Sequence, residues 1–170
     1  REDYIVTSNE YDPLSQIGYC GVMNDKKRVL VLGSIGMAGH LITLYFQERG
    51  HDVAAYSVAP FPYCRNIIGN AFETNDFQKM LIAGDYDAVI NCIGILNQMA
   101  DANHSAAVYL NSYLPHLIAG TLKNKKTKLI QMSTDCVFAG NAGPYYEKSL
   151  RDGPTFYDRT KALGEVEDDK

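Results

Sequence analysis

Short apolar runs alternate with longer amphipathic stretches along most of the chain. Uniformly apolar runs predict parallel strands buried on both faces, and apolar residues that recur at helical spacing predict helices packed against them. Strands are predicted at 29–32, 51–57, 87–94 and 128–133. Helices are predicted at 41–50, 76–83, 104–122 and 156–166. Because strands and helices alternate with short joins, we expect right-handed crossovers and an α/β fold with a mostly parallel sheet.

Three prolines refine this pattern. Pro115 predicts a kink or an internal boundary in the helix at 104–122. Pro60 and Pro62 predict a loop after the second strand. The remaining long loop is the polar stretch rich in glycine and proline between the fourth strand and the last helix.

The first residues of the chain follow a different pattern. Residues 1–22 show no sustained period of two or 3.6, and Met23 stands shortly before the first strand. We therefore expect residues 1–24 to be an N-terminal extension of unknown role, either a leader, a fused segment or an added arm. Residues 25–170 suit a single domain, since 170 residues are too few for two of ordinary size.

Composition and charge exclude several classes of protein. A formal net charge of −4 without a dominant basic cluster argues against nucleic acid or an anionic membrane as partner. No apolar run reaches the roughly 20 residues that span a bilayer, and no secretory segment opens the chain, so the expected location is the cytoplasm. The cysteines form no C-x-x-C pair, which indicates reduced thiols and neither a metal site nor a disulfide framework. They are Cys20, Cys64, Cys92 and Cys136.

The glycine-rich segment 33–39 carries the strongest chemical signal, because it directly follows an apolar strand and opens a helix. Gly33 permits a tight turn, Gly36 lets a diphosphate approach the backbone, and Gly39 lets the helix pack closely. The helix N-terminus adds amide donors and partial positive charge. We expect a Rossmann-type doubly wound sheet that binds a dinucleotide here; the alternative is a glycine-rich turn without a ligand. The candidate ligands are Gly33, Ser34, Ile35, Gly36, Met37 and Gly39.

The end of the second strand bears on the choice of cofactor. NAD-binding folds of this kind carry a carboxylate there for the ribose 2′-hydroxyl, whereas this chain has Ser57 between Tyr56 and Val58. Arg65 stands in the predicted loop that follows and could hold a 2′-phosphate, although it is equally well explained as a solvated charge. The sequence thus favours NADP, with NAD as the alternative.

A tyrosine and a lysine four residues apart, Tyr157 and Lys161, lie on one face of the last predicted helix. A neighbouring ammonium stabilises phenolate, which would suit general acid chemistry in carbonyl reduction. Ser133 and Thr134 follow the fourth predicted strand, at the carboxyl edge where parallel sheets bind ligands. A hydroxyl there could hydrogen-bond both a substrate carbonyl and the phenol. Each feature alone has an ordinary structural explanation, but their order on one alternating chain favours a common site.

Together these motifs resemble those of a known family. Over about residues 26–166 the chain is similar to extended short-chain dehydrogenases/reductases of the dTDP-4-dehydrorhamnose reductase branch. The segments that carry this resemblance are 33–39, 91–94, Asn111, 133–140, 144–147, Tyr157-x-x-x-Lys161 and 163–165.

The resemblance implies reduction of a nucleotide-linked 4-keto sugar by NAD(P)H in surface-polysaccharide or deoxysugar biosynthesis. It implies that Thr134 polarises the carbonyl, that Tyr157 donates the proton, and that Lys161 lowers the phenol pKa and binds the ribose. It also implies a homodimer formed through helices such as those at 104–122 and 157–166. Asn111 would support the site or the fold. Further cofactor contacts are implied for Asn91, Cys92, Ile93, Gly94 and Ser133.

Two departures from the family pattern keep alternatives open. Cys136 stands where the branch commonly has Tyr, and this difference leaves the sugar undefined. Related dehydratases carry Glu at the same place, so Cys136 argues against dehydration. Family members continue into a C-terminal substrate lobe, whereas this sequence stops at Lys170, so we expect an incomplete Rossmann domain. The alternatives are a sugar-nucleotide epimerase or dehydratase, and a non-catalytic NADP-binding regulatory subunit.

Overall fold

The computed structural model describes residues 25–167, so the predictions for residues 1–24 lie outside the described part. In that part the strands are β1 Arg28–Leu32, β2 Asp52–Ser57, β3 Arg65–Ile68, β4 Ala88–Asn91 and β5 Lys128–Gln131. The α-helices there are α1 Met37–Glu48, α2 Thr74–Ala83, α3 Asn97–Ala102, α4 His104–Ala107, α5 Leu114–Leu122 and α6 Phe156–Leu163. No helix within residues 25–167 is long and apolar enough to cross a membrane.

All strand pairs in the sheet are parallel, and the strand order is β3-β2-β1-β4-β5. The chain therefore forms the doubly wound α/β fold that the alternating pattern predicted. In this order the connections reverse direction between β1 and β4, where Leu32 and Asn91 are paired at the carboxyl ends. Such a reversal opens a crevice at the carboxyl edge, which is where doubly wound sheets bind ligands.

Apolar side chains on both faces of the sheet form the core. On one face Leu30, Leu32 and Val89 pack with Phe77 of α2 and Ile118 of α5. On the other face the alternate residues of β1, Val29 and Val31, pack with Phe46 of α1. The apolar run of β1 is thus explained by burial on both sides, and this rigid centre holds the glycine loop that follows it.

Strand β3 was not predicted from the sequence. Its four residues follow Pro60 and Pro62, which indicated only a loop, and they form an edge strand that is largely half-buried or exposed. Arg65 is therefore the first residue of β3 and not a loop residue. It is paired with Ala54, whereas Ser57 at the carboxyl end of β2 is paired with Ile68.

The predicted helix at 104–122 is divided into three pieces. Helix α4 leads into a π-helical segment, Val108–Tyr113, and α5 begins at Leu114. Pro115 stands in the first turn of α5, directly after the π-helical segment, so the predicted internal boundary is confirmed. A π-helical turn inserts an extra residue into the helical spacing and is frequent near functional sites.

The structure corrects one premise drawn from charge. The amino ends of β1 and β5, together with the adjoining chain, line a cleft of about 480 Å³ opposite the carboxyl edge. Part of its positive charge has a structural role, since Arg28 pairs with Asp85 at 2.7 Å and Lys125 donates to the Gly84 carbonyl at 2.9 Å. The basic residues are therefore clustered more than the sequence suggested. The cations lining the cleft are Lys27, Arg28, Lys125, Lys126 and Lys128.

Candidate cofactor-binding and catalytic site

The turn after β1 requires glycine at its first position. Gly33 has φ +82°, a left-handed conformation that favours glycine, and its amide donates to the Tyr56 carbonyl of β2 at 2.8 Å. A Cβ at Gly33 would lie 3.1 Å from the backbone of Cys92, which follows β4. The turn is therefore wedged between the ends of three neighbouring strands.

Gly39 allows helix α1 to approach this turn. A Cβ at Gly39 would lie 2.2 Å from the Gly33 carbonyl oxygen, so no larger residue fits without a backbone shift. The close approach predicted for Gly39 is thus present, although its partner is the turn itself rather than the strand.

The glycine loop has the features that a dinucleotide pyrophosphate needs. Helix α1 has Gly36 at its N-cap and no side chain caps its N-terminus, so its first amides stay available as donors. Ser34 Oγ is fully buried without a hydrogen-bond partner, and a ligand oxygen would satisfy it. Ile35 and Met37 are exposed beside it. The residues present therefore fit a phosphate-containing ligand.

The residues predicted to recognise the ribose lie differently. The Ser57 hydroxyl donates to the Ala59 carbonyl at 2.6 Å and accepts from Asn66 Nδ2 at 3.0 Å, so it holds the chain turn after β2. Arg65 lies three strand positions before Ile68, roughly 10 Å from the carboxyl edge. The expectation that Arg65 stands in the loop after β2 is wrong, because it is the first residue of β3. The argument for NADP therefore rests on the absence of a carboxylate at the end of β2.

The segment after β4 forms the opposite wall of the crevice. Asn91 is fully buried; its Oδ1 accepts from the Ile93 amide at 3.1 Å and its Nδ2 donates to Gln131 Oε1 at 2.8 Å. Asn91 thus shapes the wall from below and does not face the crevice. Cys92 is half-buried, and burial raises the pKa of its thiol to about 11. Gly94 is exposed and would bring a Cβ 3.0 Å from Asn111 Oδ1.

Tyr157 stands in the first turn of α6, whose start is fixed by a capping box. The Thr155 hydroxyl accepts from the Asp158 amide at 3.1 Å, and the Asp158 carboxylate accepts from the Thr155 amide at 2.9 Å. Tyr157 is buried, and the Thr134 side chain is near enough to its phenol to lower the phenol pKa. The Thr134 hydroxyl itself donates to Asp135 Oδ1 at 3.3 Å and accepts from the Cys136 amide at 3.3 Å.

Lys161 lies one turn further along α6 and is also buried. Its Nζ donates to the Met132 carbonyl, just after β5, at 2.7 Å. Burial lowers the pKa of Lys161, while the nearby Glu165 and Cys92 raise it. The ammonium therefore stands beside the ends of both β4 and β5.

The electrostatics of Tyr157 differ from the prediction. Burial raises the pKa of its phenol above the ordinary value; the nearby Thr134 side chain lowers it, and the negative charges of Cys136, Asp158 and Asp135 raise it further. We had expected Lys161 to bring the phenol nearer to neutral pH, but its ammonium is engaged with a backbone carbonyl. The phenol is consequently held protonated, the state in which it can donate a proton.

Two residues of the π-helical segment support α6. Asn111 Oδ1 accepts from the Ile95 amide at 2.9 Å, and its Nδ2 donates to the Ile95 carbonyl at 3.0 Å and to Thr160 Oγ1 at 3.2 Å. Ser112 Oγ donates to the Thr160 carbonyl at 2.7 Å. The sequence analysis named Asn111 but missed Ser112 and Thr160. The only sequence feature that could have indicated them is a polar residue among the apolar positions of a predicted helix.

This crevice, with its glycine turn and its hydroxyl, phenol and ammonium side chains, defines a dinucleotide-binding fold of the short-chain dehydrogenase/reductase kind. The model of the RmlD substrate binding domain family matches residues 27–167, and the chain belongs to that family.

Two curated relatives are similar to the chain. One is a probable low-salt glycan biosynthesis reductase, Agl14, of Haloferax volcanii, 28% identical over 139 residues, which cover 79% of this chain and 46% of the relative. The other is a probable dTDP-4,6-dihydroxy-2-methyloxan-3-one 4-ketoreductase of Streptomyces antibioticus, 30% identical over 141 residues, 81% of this chain and 45% of the relative. The chain thus spans about half the length of the curated relatives it matches.

Solved structures share the fold at low identity. A hypothetical dTDP-4-dehydrorhamnose reductase from Sulfolobus tokodaii superposes with a TM-score of 0.73 at 22% identity, over 81% of this chain and 50% of that one. MoeE5, solved in complex with UDP-glucose and NAD, superposes with a TM-score of 0.70 at 19% identity, over 81% of this chain and 46% of that one.

Proposed function

We propose that this chain is the dinucleotide-binding part of an NAD(P)H-dependent reductase that acts on a nucleotide-linked 4-keto sugar in surface-polysaccharide or deoxysugar biosynthesis. The names of the two curated relatives, both reductases, support this proposal. The UDP-glucose and NAD bound to MoeE5 support a nucleotide sugar as substrate and a nicotinamide dinucleotide as cofactor.

The observation that carries the proposal is the meeting of buried Tyr157 and Lys161 of α6 with the segment after β5 at the carboxyl edge, where Lys161 Nζ donates to the Met132 carbonyl at 2.7 Å and Thr134 lies near the phenol. In carbonyl reduction the oxygen gains a proton as the carbon gains a hydride, so an acid must stand at the oxygen. A substrate carbonyl that accepts from the Thr134 hydroxyl would lie beside the Tyr157 phenol. Burial keeps that phenol protonated until the carbonyl oxygen becomes more basic.

The glycine loop and the wall at residues 92–94 would hold the cofactor, with its diphosphate on the amides of Ile35, Met37 and Ala38 and on Ser34 Oγ, since the Gly36 amide donates to the Gly33 carbonyl. When bound, the reduced nicotinamide supplies the hydride. Lys161, whose ammonium stands at the ends of β4 and β5, would bind the ribose of the cofactor. Asn91 is buried and holds the wall through its bond to Gln131, whereas Ser133 is exposed at the carboxyl edge and donates to Glu165.

We also propose NADP as the preferred cofactor, because no carboxylate follows β2 to repel a 2′-phosphate. NAD is the competing candidate. The sequence arguments for the cytoplasm and for a homodimer extend the proposal but rest on composition and resemblance alone.

The test is to incubate the intact protein with a dTDP-linked 4-keto sugar and either NADPH or NADH. Stoichiometric loss of the reduced cofactor, with a 4-hydroxy sugar as product, is the expected result. An epimerase or dehydratase would change the sugar and return its cofactor. Cofactor binding without any change in the sugar would point to the regulatory subunit and overturn the proposal.

A further inference from the structure

The Glu165 carboxylate joins three separate segments of the chain just beyond the end of α6. Its Oε1 accepts a hydrogen bond from Ser133 Oγ at 2.5 Å, and its Oε2 accepts from Arg151 Nε at 2.8 Å. Arg151 Nη1 also donates to the Ser149 carbonyl at 3.0 Å. Both carboxylate oxygens are therefore engaged within the chain, one on the segment after β5 and one on the loop that leads to α6.

Ser133 is placed between two contacts of the catalytic pair. The preceding residue, Met132, offers the carbonyl that accepts from Lys161 Nζ, and the following residue, Thr134, lies near the Tyr157 phenol and lowers its pKa. Because these three residues are consecutive, a shift of Ser133 would move both contacts. The Ser133 hydroxyl, for which the resemblance implies a cofactor contact, donates to Glu165.

The geometry distinguishes this arrangement from an ordinary surface ion pair. An exposed pair typically contributes under about 1 kcal/mol because solvent screens it. The Arg151 and Glu165 side chains are only 28% and 21% exposed, and hydrogen bonds to a charged acceptor are short and strong. The Arg151–Glu165 pair therefore holds the Glu165 carboxylate more firmly than an exposed pair would, and the exposed Ser133 hydroxyl donates to this fixed acceptor.

We propose that Glu165 is a positioning residue that holds Ser133 in place. By doing so it keeps Met132 near Lys161 and Thr134 near Tyr157. Through Arg151 it also links the 149–151 segment to Ser133. Its consequence for turnover rests on the proposed function, whereas the positioning itself does not.

The first experiment uses the 170-residue chain and needs no activity. Glu165→Gln removes the charge and leaves one side-chain oxygen where two hydrogen bonds were accepted, and Ser133→Ala removes the other end of the contact. Glu167→Gln is the matched control, since it removes the same charge two residues away at an exposed position. We expect amide hydrogen exchange of residues 133–137 to accelerate at least about tenfold in the first two variants and to stay unchanged in the control.

The same samples allow Lys161 to be titrated by nitrogen NMR. The ionisable groups that act on Lys161 are Glu165, on its own segment, and Cys92, after β4; both raise its pKa against the effect of burial. The pKa of Lys161 should therefore fall in Glu165→Gln. Ser133→Ala keeps the Glu165 carboxylate, so it still tests the contact if Glu165→Gln fails to fold.

The second experiment follows turnover in the intact protein. Because misplacement of a reacting group by about 1 Å can cost about 100-fold in rate, we expect kcat to fall roughly tenfold or more in Glu165→Gln, with the cofactor KM little changed. Arg151→Lys, which retains the positive charge, should recover more activity than Arg151→Met.

If the wild-type protein reduces no keto sugar, the proposed function fails and the exchange experiment still decides the positioning. Unchanged exchange at 133–137 in folded Glu165→Gln and Ser133→Ala would overturn the inference.

Discussion

Asn111 Nδ2 donates a hydrogen bond to Thr160 Oγ1 at 3.2 Å, and Thr160 immediately precedes Lys161 on α6. The two backbones also meet nearby, because a Cβ at Gly164 would lie 1.8 Å from the Asn111 carbonyl oxygen. The π-helical segment thus fixes the position of α6, and with it the positions of Tyr157 and Lys161 relative to the sheet. Substitutions there should act on the site without touching a ligand.

Replacement of Asn111 by alanine should destabilise the fold. Three hydrogen bonds to Ile95 and Thr160 would be lost, and buried backbone groups would be left without partners, at a cost of roughly 2–4 kcal/mol. Urea unfolding measures this difference in free energy. Asn124→Ala, at an exposed position, serves as the control. A loss below about 0.5 kcal/mol for Asn111→Ala would show that the side chain is not a structural tie.

Two glycine substitutions should have opposite effects. Gly39→Ala puts a methyl group 2.2 Å from the Gly33 carbonyl, so the glycine turn must move, and both stability and NAD(P)H affinity should fall. Gly120→Ala lies within α5 with nothing within 4 Å of its Cβ, and it should stabilise the protein by about 0.5–1 kcal/mol. Thermal unfolding and cofactor titration check both. Equal cofactor affinity in Gly39→Ala and wild type would contradict the close approach.

The two cysteines near the site should differ in reactivity. Burial raises the pKa of Cys92 to about 11, so its thiol stays protonated at neutral pH, and only the thiolate reacts with alkylating agents. Cys136 is exposed and should be alkylated first. Peptide mass spectrometry after timed treatment with iodoacetamide separates the two sites, with Cys92→Ser and Cys136→Ser to assign them. Faster labelling of Cys92 would mean that the wall after β4 is open to solvent.

Tyr56 should make the fold sensitive to alkali. Burial, with a smaller contribution from Tyr109, raises the pKa of Tyr56 to about 12 from the ordinary value of 10. The folded protein then keeps a proton that the unfolded chain releases, so this stability is complete below pH 10 and is lost as pH rises towards 12. By pH 11 the loss is roughly 1 kcal/mol.

The measurement for Tyr56 is the slope of unfolding free energy against pH in the range above neutrality. Tyr56→Phe should show a shallower decline than wild type, because it has no phenol to titrate. Tyr146→Phe removes an exposed phenol and should leave the slope unchanged. Parallel slopes for Tyr56→Phe and wild type would rule out this source of alkaline sensitivity.

The alternation of apolar and amphipathic segments was sufficient to predict the doubly wound sheet. Runs such as Val29–Leu32 have one physical explanation, burial on both faces, and the glycine turn after β1 has a backbone conformation that few residues adopt. Strand β3 was missed because an edge strand needs little apolar sequence and the prolines before it indicate a loop. The position of Arg65 was therefore misjudged, since it depends on the register of that strand.

The chemical residues of the site were predictable in identity but not in their contacts. Tyr157 and Thr134 are expected together because parallel strands end at one edge, and the Thr134 side chain is near enough to lower the Tyr157 pKa. The sequence does not show, however, whether the Lys161 ammonium contacts the phenol or the Met132 carbonyl, because the long lysine side chain can reach either acceptor. Glu165 and Ser133 are separated by 32 residues in the sequence, and no local sequence pattern predicts a contact between them.

The central claim is that Tyr157 donates the proton in a reduction that uses the cofactor bound on the glycine loop. The most direct measurement compares wild type and Tyr157→Phe in the intact protein for two quantities, the dissociation constant of NADPH and the rate of NADPH loss with a nucleotide-linked 4-keto sugar. We predict similar dissociation constants and a rate at least about 100-fold lower in the variant, as expected when a general acid is removed. Equal rates in the two proteins would contradict the claim.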